Sequence, residues 1–357
     1  MTPPPNTRPP REAHRIDETN LARWLGEHVE GCAGGKATVL QFKGGQSNPT
    51  YWVDVEGGAN GDVALVVRKK PSGKLLPSAH AIEREYRVMR ALRGTDVPVP
   101  DALALCEDAS VIGTPFFVMR WVPGRIFWDP TLPELGSNES RRALYKDYVR
   151  VLAALHQVDY AAVGLGDYGK VGGFVVRQVE RWSKQYQASR TSEIPSMEAL
   201  MRWLGANIPA SDETTLVHGD YRIDNLMFSP EGEPKAIAVL DWELSTLGHP
   251  LSDLAYACMG YHLNLPGRGG LAGVDVRSLG IPTEDEMVAE YKKLTGRGSI
   301  DGWPFFMAFG IFRLAAIAQG VYARSLQGNA SSDDASNYGA AVNMLSELAC
   351  SIAKVKW

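Results

Sequence analysis

The apolar residues of this chain change their spacing once, at about Pro123 and Gly124, and that change restricts its architecture more than any other feature. Ahead of it, 37–42 (ATVLQF), 50–55 (TYWVDV) and 63–68 (VALVVR) have the β-branched and aromatic content of strands. The turn Gly44, Gly45, Gln46, Ser47, Asn48, Pro49 joins the first two. From about His80 to Leu92 the spacing becomes helical, and 102–106 and 115–122 predict two more strands. Beyond Gly124, 141–156, 174–188, 197–204, 284–294, 305–325 and 338–353 all carry helical spacing, and a short amphipathic helix is expected at 18–29. A five-strand sheet with one main helix, followed by a mostly helical part, predicts an α+β chain. Its expected organisation is a disordered tail over 1–15, a small lobe over 16–122 and a helical lobe over 123–357.

Bulk properties exclude several classes. A chain of 357 residues buries a real core, and 37 basic against 41 acidic residues (net −4) give no sequence-wide case for nucleic acid or an anionic membrane. Cys32, Cys106, Cys258 and Cys350 lie far apart with no CxxC pair, which predicts reduced thiols in a cytoplasmic protein rather than a zinc site or disulfide framework. The opening MTPPPNTRPPREAHR lacks an apolar core of the signal-peptide kind. The run from Phe305 to Tyr322 is interrupted by Arg313 and Gln319 and reads as a core helix, not a membrane span.

Between the helices stands LVHGDYRIDNLMF, Leu216 to Phe228, followed after a turn by AIAVLDWE, Ala236 to Glu243. Polar side chains set between apolar strand ends need partners, and a ligand is one candidate. The order of parts is a Gly-rich turn, a cation ending a strand, a carboxylate on the next helix, then HGDxxxxN and a strand-end aspartate. Phosphoryl transfer needs these elements, because its transition state demands positioning and charge neutralisation.

HGDYRIDN, Asp241 in VLDWE and the following LGHPLSDLAY resemble the aminoglycoside phosphotransferase and choline kinase family, a branch of the protein-kinase-like bilobal fold. The resemblance implies ATP or GTP as donor and Mg²⁺ as cofactor, with Asp220 as the base that takes the acceptor proton and Asn225 and Asp241 as metal ligands. His218 and Asp253 would shape the loop beneath them. A family cation grips the nucleotide phosphates and pairs with a helix carboxylate; strand alternation favours Arg68 with Glu85, leaving Lys69 and Glu83 as competitors. Gly44, Gly45, Gln46 and Ser47 would form the loop over the phosphates, whose glycines let backbone N–H groups approach. In FFVMRWVPG, backbone groups of Arg120, Trp121 and Val122 would hold a purine beside Met119. His156 reads as a structural histidine. Trp242 in place of the protein-kinase phenylalanine, with no activation segment after it, implies a small-molecule kinase.

For the acceptor, VVRKKPSGKLLPSAHAIEREYRVMRAL and YGKVGGFVVRQVERWSKQYQAS are similar to the subgroup whose kinase-like domain is fused, in animals, to an acyl-CoA dehydrogenase. That similarity implies a hydroxylated acyl-CoA. Arg177, Arg181 and Lys184 read as a solvated basic face, whereas Arg313 inside an apolar run needs an internal carboxylate or a substrate anion. The helical half has no concentrated acidic cluster for a polycationic antibiotic. The competing readings are a silent nucleotide-binding pseudokinase and a kinase for another small alcohol: an amino alcohol, sugar or aminoglycoside. The expected partners are a nucleotide and a small hydroxylated substrate.

Overall fold

Strand-forming runs, one alternating between buried and exposed positions and two buried over continuous stretches, build a sheet in the first third of the chain. In the computed structural model, which describes residues 1–43, 48–71, 81–265, 269–326 and 335–357, the strands are β1 (Thr7–Arg8), β2 (Lys36–Phe42), β3 (Thr50–Gly58), β4 (Gly61–Lys69), β5 (Ala102–Cys106) and β6 (Phe116–Arg120). They form one antiparallel sheet in the order β1-β2-β3-β4-β6-β5. Val39, Val53, Leu65, Val67 and Val118 bury one face against Leu21 and Leu25 of helix α1 (Glu18–His28). Asp17 caps α1 by accepting from the Asn20 N–H, and Glu18 accepts from the Val39 N–H, which ties the helix to β2. Helix α2 is Ile82–Leu92.

The sheet has one strand more than the spacing predicts. Thr7 and Arg8 pair with Phe42 and Gln41, and the Tyr51 hydroxyl donates to the His14 carbonyl, so the expected structureless tail over 1–15 is corrected. Prolines at 3–5 and 9–10 prevent a long strand yet leave two residues able to pair at a sheet edge.

The chain divides into two compact units: Met1–Arg125 with Leu226–Gly232 and Ala236–Leu244, and Ile126–Asn225 with Glu233–Lys235 and Ser245–Trp357. The division therefore falls after Arg125 rather than Val122, and the strand pair around Asp241 belongs with the sheet. Four short strands lie mid-chain: β7 (Thr215–Val217), β8 (Leu226–Phe228), β9 (Ala236–Val239) and β10 (Thr246–Gly248). Within the first unit β8 pairs with β9, and within the second β7 pairs with β10.

The second unit is helical: α3 (Asn138–His156), α4 (Phe174–Ser189), α5 (Pro195–Ala206), α6 (Pro250–Cys258), α7 (Glu284–Thr295), α8 (Trp303–Leu326) and α9 (Ala335–Ala353). By length and composition α8 is apolar enough to cross a membrane, and 72% of its apolar window is buried inside this unit. Thr283 and Glu286 form a capping box at the start of α7, and Gly296 closes it in the left-handed conformation. Helix α6 has no counterpart in the spacing analysis. It opens at His249, which caps the Leu251 N–H, with Pro250 at the first helical position.

Candidate active site

In the second unit, the HGD loop leaves β7 at Val217 and turns at Gly219, whose φ of 83° admits glycine without the penalty a side chain carries. Helix α6 pins that turn. The buried Asp253 carboxylate accepts the backbone N–H groups of His218 and Gly219, the latter at 2.8 Å, and His156 Nε2 lies 3.5 Å away. Burial alone would push the Asp253 carboxyl up; hydrogen bonding from His156, the nearby His218 and the Gly219 N–H outweigh it and hold the group below the usual value. His156 in turn bonds the Tyr291 hydroxyl at 2.7 Å, a structural post as its place in the sequence suggested.

His218 is fully buried, and its Nδ1 accepts the Asp220 N–H at 3.3 Å. Tyr221 stacks on Tyr148 of α3 at 4.8 Å, and each phenol donates to the other residue's carbonyl. On this support Asp220 faces Asn225: the Asn225 amide donates to Asp220 Oδ2 at 3.0 Å and to the Asp220 carbonyl at 2.8 Å. Both amide hydrogens are thus committed, which leaves the Asn225 carbonyl oxygen as the atom for a cation. Arg222 bridges two acids, with Nη2 3.0 Å from Asp224 Oδ2 and Nε 3.5 Å from Asp220 Oδ1.

In the first unit, strand alternation separates the two candidate cations. Lys69 Nζ donates to the Ile112 carbonyl at 3.3 Å, and Lys70 pairs with Glu83. Arg68 points the other way. Its Nε is 3.0 Å from Glu85 Oε2, and its Nη2 is 2.9 Å from Asp241 Oδ1 and 3.9 Å from Glu243 Oε2. Asn48 adds a hydrogen bond to Glu85 Oε1 at 3.0 Å. Burial raises the Glu85 carboxyl to about 7, reinforced by Asp241 and Glu243 and opposed by Arg68. One guanidinium therefore faces three carboxylates, an excess of negative potential that suits a divalent cation.

Asp241 sits at φ 62°, a region non-glycine residues enter rarely and mostly at functional turns. The buried Trp242 fixes that turn by donating its indole N–H to the Val239 carbonyl at 2.9 Å.

Met119 is half-buried on β6 opposite Val66. Of the three backbone amides proposed for a purine, those of Arg120 and Trp121 donate to the Asp101 and Ala64 carbonyls at 2.9 and 3.2 Å. Among the described residues the Val122 N–H has no backbone partner. Gly44, Gly45, Gln46 and Ser47 lie outside the described residues.

The basic helix face resolves into separate roles: Arg177 donates to the Lys170 and Gly172 carbonyls, while Arg181 and Lys184 are exposed. Arg313 does not meet the expected internal carboxylate. Among the described residues no carboxylate pairs with it, and its guanidinium lies over the rings of Trp182 and Tyr256 at 5.5 and 5.3 Å. Asn48, Arg222, Glu243 and Tyr256 complete these clusters; each lies in a stretch the sequence marks, the Gly-rich turn, HGDYRIDN, DWE and LSDLAY in that order, but none of them was assigned a role there.

A loop that offers a carboxylate beside an amide, in a chain that also holds a strand-end guanidinium between helix and loop acids, matches how kinases divide the work of moving a phosphoryl group. The chain belongs to the Phosphotransferase enzyme family, which it matches over residues 38–288. That family, with the kinase-like fold, places the chain in the class of small-molecule phosphotransferases. A solved structure from Ralstonia eutropha JMP134, provisionally described as an aminoglycoside phosphotransferase, is 48% identical with a TM-score of 0.86, over 96% of this chain and 100% of that one. Choline kinase from Cryptosporidium parvum shares the fold at 10% identity and a TM-score of 0.65, covering 95% of this chain and 96% of the other. Acyl-CoA dehydrogenase family member 10 of Mus musculus is 49% identical over 98% of this chain and 32% of its own length. The chain spans less than half the length of the acyl-CoA dehydrogenase family members it matches.

Proposed function

We propose that this chain transfers the terminal phosphate of ATP or GTP to the hydroxyl of a hydroxyacyl-CoA. Asp220 accepts the acceptor proton, and Asn225 and Asp241 hold Mg²⁺. Arg68, kept in place by Glu85 and Asn48, orients the phosphates, and the Val122 N–H meets the purine. Among the described residues no group of three His, Cys, Asp or Glu gathers to hold a metal. A carboxylate and an amide oxygen instead suit an ion completed by phosphate and water oxygens. Bound there, Mg²⁺ would neutralise charge on the transferred group. The chain passes from Asn225 directly into β8, whose Leu226 pairs with Val239, two residues ahead of Asp241.

The observation that carries the acceptor class is a cavity of about 330 Å³ in the second unit, walled by Trp128, Tyr145, Tyr148, Tyr256, Met259 and Leu271. Asp224 is the one acid among its described lining residues, and Arg222 neutralises it. An aromatic wall with its acid paired supports an acceptor with an apolar chain over a polycation. The acyl-CoA dehydrogenase relatives support the same choice.

The test is transfer from labelled ATP and GTP to a panel of hydroxyacyl-CoAs, amino alcohols, sugars and aminoglycosides. Hydroxyacyl-CoAs should be preferred, and Asp220→Asn should cost about 10² to 10⁴ in rate. An Asp220→Asn variant as active as the parent removes the base assignment; preference for an aminoglycoside removes the acceptor assignment.

A further inference from the structure

The loop ahead of helix α3 is tied down along its length, yet it turns its largest side chain to solvent. Trp128 is 69% exposed, while Phe127 before it and Leu132 after it are buried. Asp129 Oδ1 accepts the Thr131 N–H at 2.8 Å and the Thr131 hydroxyl at 2.7 Å, and the Leu132 N–H donates to the Asp129 carbonyl at 2.9 Å. From α3, the Tyr145 hydroxyl donates to the Pro130 carbonyl at 2.6 Å and Arg141 Nε to the Leu132 carbonyl at 3.1 Å. Leu132 sits at φ 56°, a conformation that costs a non-glycine residue energy and persists only where its surroundings enforce it. A side chain at Gly269 would meet the Pro130 ring at 3.3 Å, so the loop is also packed from that side.

The exposure of Trp128 is therefore set by a constrained backbone. Tryptophan is on average highly buried, and an indole held out by a fixed loop is suited to meeting a ligand. Trp128 walls the cavity proposed for the acceptor, together with Tyr145, Tyr148, Tyr256 and Leu271. Arg222, at the same cavity, pairs with Asp224 and lies 3.5 Å from Asp220. The cavity thus includes a polar group beside the proposed base and an indole where it opens to solvent.

We propose that Trp128 is a specificity-determining residue for the acceptor: its indole extends the apolar surface of the cavity outward and is covered by the alkyl chain of a hydroxyacyl-CoA long enough to pass out of it. The nucleotide head of the CoA is the competing occupant, and it brings phosphates. Asp129, next in the chain, adds a carboxylate to this loop, and the one cation among the described lining residues, Arg222, is engaged by Asp224. These residues offer a phosphate no free counter-charge, and an alkyl chain needs none. The inference rests on the acceptor reading of this cavity.

The signature is a dependence on chain length. Each methylene laid on apolar surface adds about three- to fourfold in affinity, so KM for hydroxyacyl-CoAs should fall as the chain lengthens until the indole is covered. In Trp128→Ala the rise in KM should grow with the chain, reaching about ten- to a hundredfold for the longest, with KM for Mg·ATP within about twofold of the parent. Trp128→Phe, which restores a smaller ring, should recover part of the loss. A structural role would raise KM equally for every chain length and lower the melting temperature. A penalty independent of chain length, or no penalty, overturns the proposal.

The second readout needs no turnover. Parent and Trp128→Phe differ by the emission of Trp128, and that difference should shift to the blue when a long-chain acyl-CoA without a hydroxyl binds, as water leaves the indole. Binding seen by calorimetry with the Trp128 emission unshifted overturns this inference alone. A shift produced by coenzyme A without a chain assigns the indole to the nucleotide head and overturns it too. No binding of any acyl-CoA overturns the acceptor reading and this inference with it. If acyl-CoAs bind to a parent that transfers no phosphate, the transfer reading fails while the emission still decides the role of Trp128.

Discussion

Replacing Asp253 with asparagine asks how much of the HGD loop depends on one buried carboxylate. Its two oxygens accept separate backbone N–H groups, Oδ2 from His218 and Oδ1 from Gly219. An asparagine has one acceptor and one NH₂, so in either orientation a loop N–H meets another donor. The lost charge-assisted bond is worth about 1.5–3 kcal/mol, and a buried N–H left unpaired adds about 1–3. The sum is about 3–5 kcal/mol after the surviving bond weakens to a neutral one. For a unit of this size that corresponds to a fall of roughly 6–20 °C in melting temperature, read by circular dichroism. Because Asp220 follows Gly219 directly, kcat should fall by at least about tenfold as well. The Asp253 carboxyl is held below its ordinary value, so its contribution is present above about pH 4 and fades as pH falls through the folded value. The gap between parent and variant should therefore narrow in acid. A variant melting within about 1 °C of the parent at neutral pH, with unchanged kcat, refutes the two-bond reasoning.

His249 supplies a pH test of opposite origin. Burial lowers its imidazole to about 4, its Nδ1 accepts the Leu251 N–H, and its ring stacks on Phe306. A depressed histidine stabilises the fold only while neutral, so stability should fall as pH drops from about 6.5 toward 4, by at most about 1.4 kcal/mol per unit. His249→Asn keeps a cap and should flatten that slope; equal slopes for parent and variant between pH 7 and 5 would discard the assignment. At the strand end, Arg68→Met should weaken Mg·ATP binding about ten- to a hundredfold by calorimetry, while Lys69→Met stays within about threefold. The reverse ranking would move the phosphate grip to Lys69.

Long helices were legible because their stripes run for several turns: 174–188 is expected and Phe174–Ser189 is found. Helix α6 was not. Its nine residues, PLSDLAYAC, are apolar on most sides because it is buried, so no stripe marks it. Arg68 was separable from Lys69 by the two-residue period of a strand, a rule that survives because both faces of β4 are engaged. The partners of Arg313 were not legible. A cation in an apolar run signals that something compensates it, but two aromatic faces leave no charge pattern in the sequence to find. The same holds for the backbone of Arg120 and Trp121, whose amides are used inside the sheet for reasons of register rather than residue type.

Charge distinguishes the cluster proposed to carry the chemistry from the cavity proposed to carry specificity. Around Arg68 three carboxylates share one guanidinium, an excess of negative charge that suits a divalent cation. Glu85, raised by burial and its acidic neighbours, is the group most able to relieve the surplus by taking a proton when no cation is present. The cavity proposed for the acceptor is arranged the other way: its acid is already matched by Arg222, and its remaining walls are largely aromatic and aliphatic. A polycation entering there would gain no unpaired carboxylate and would lose its hydration, a net penalty. An acyl chain loses little water and gains the wall, at about 25 cal/mol per Å² buried. On this reasoning Arg222→Ala, by freeing Asp224, should shift acceptor preference toward amines, and a preference unmoved by that change would mean that the cavity wall, not the ion pair, sets the selection.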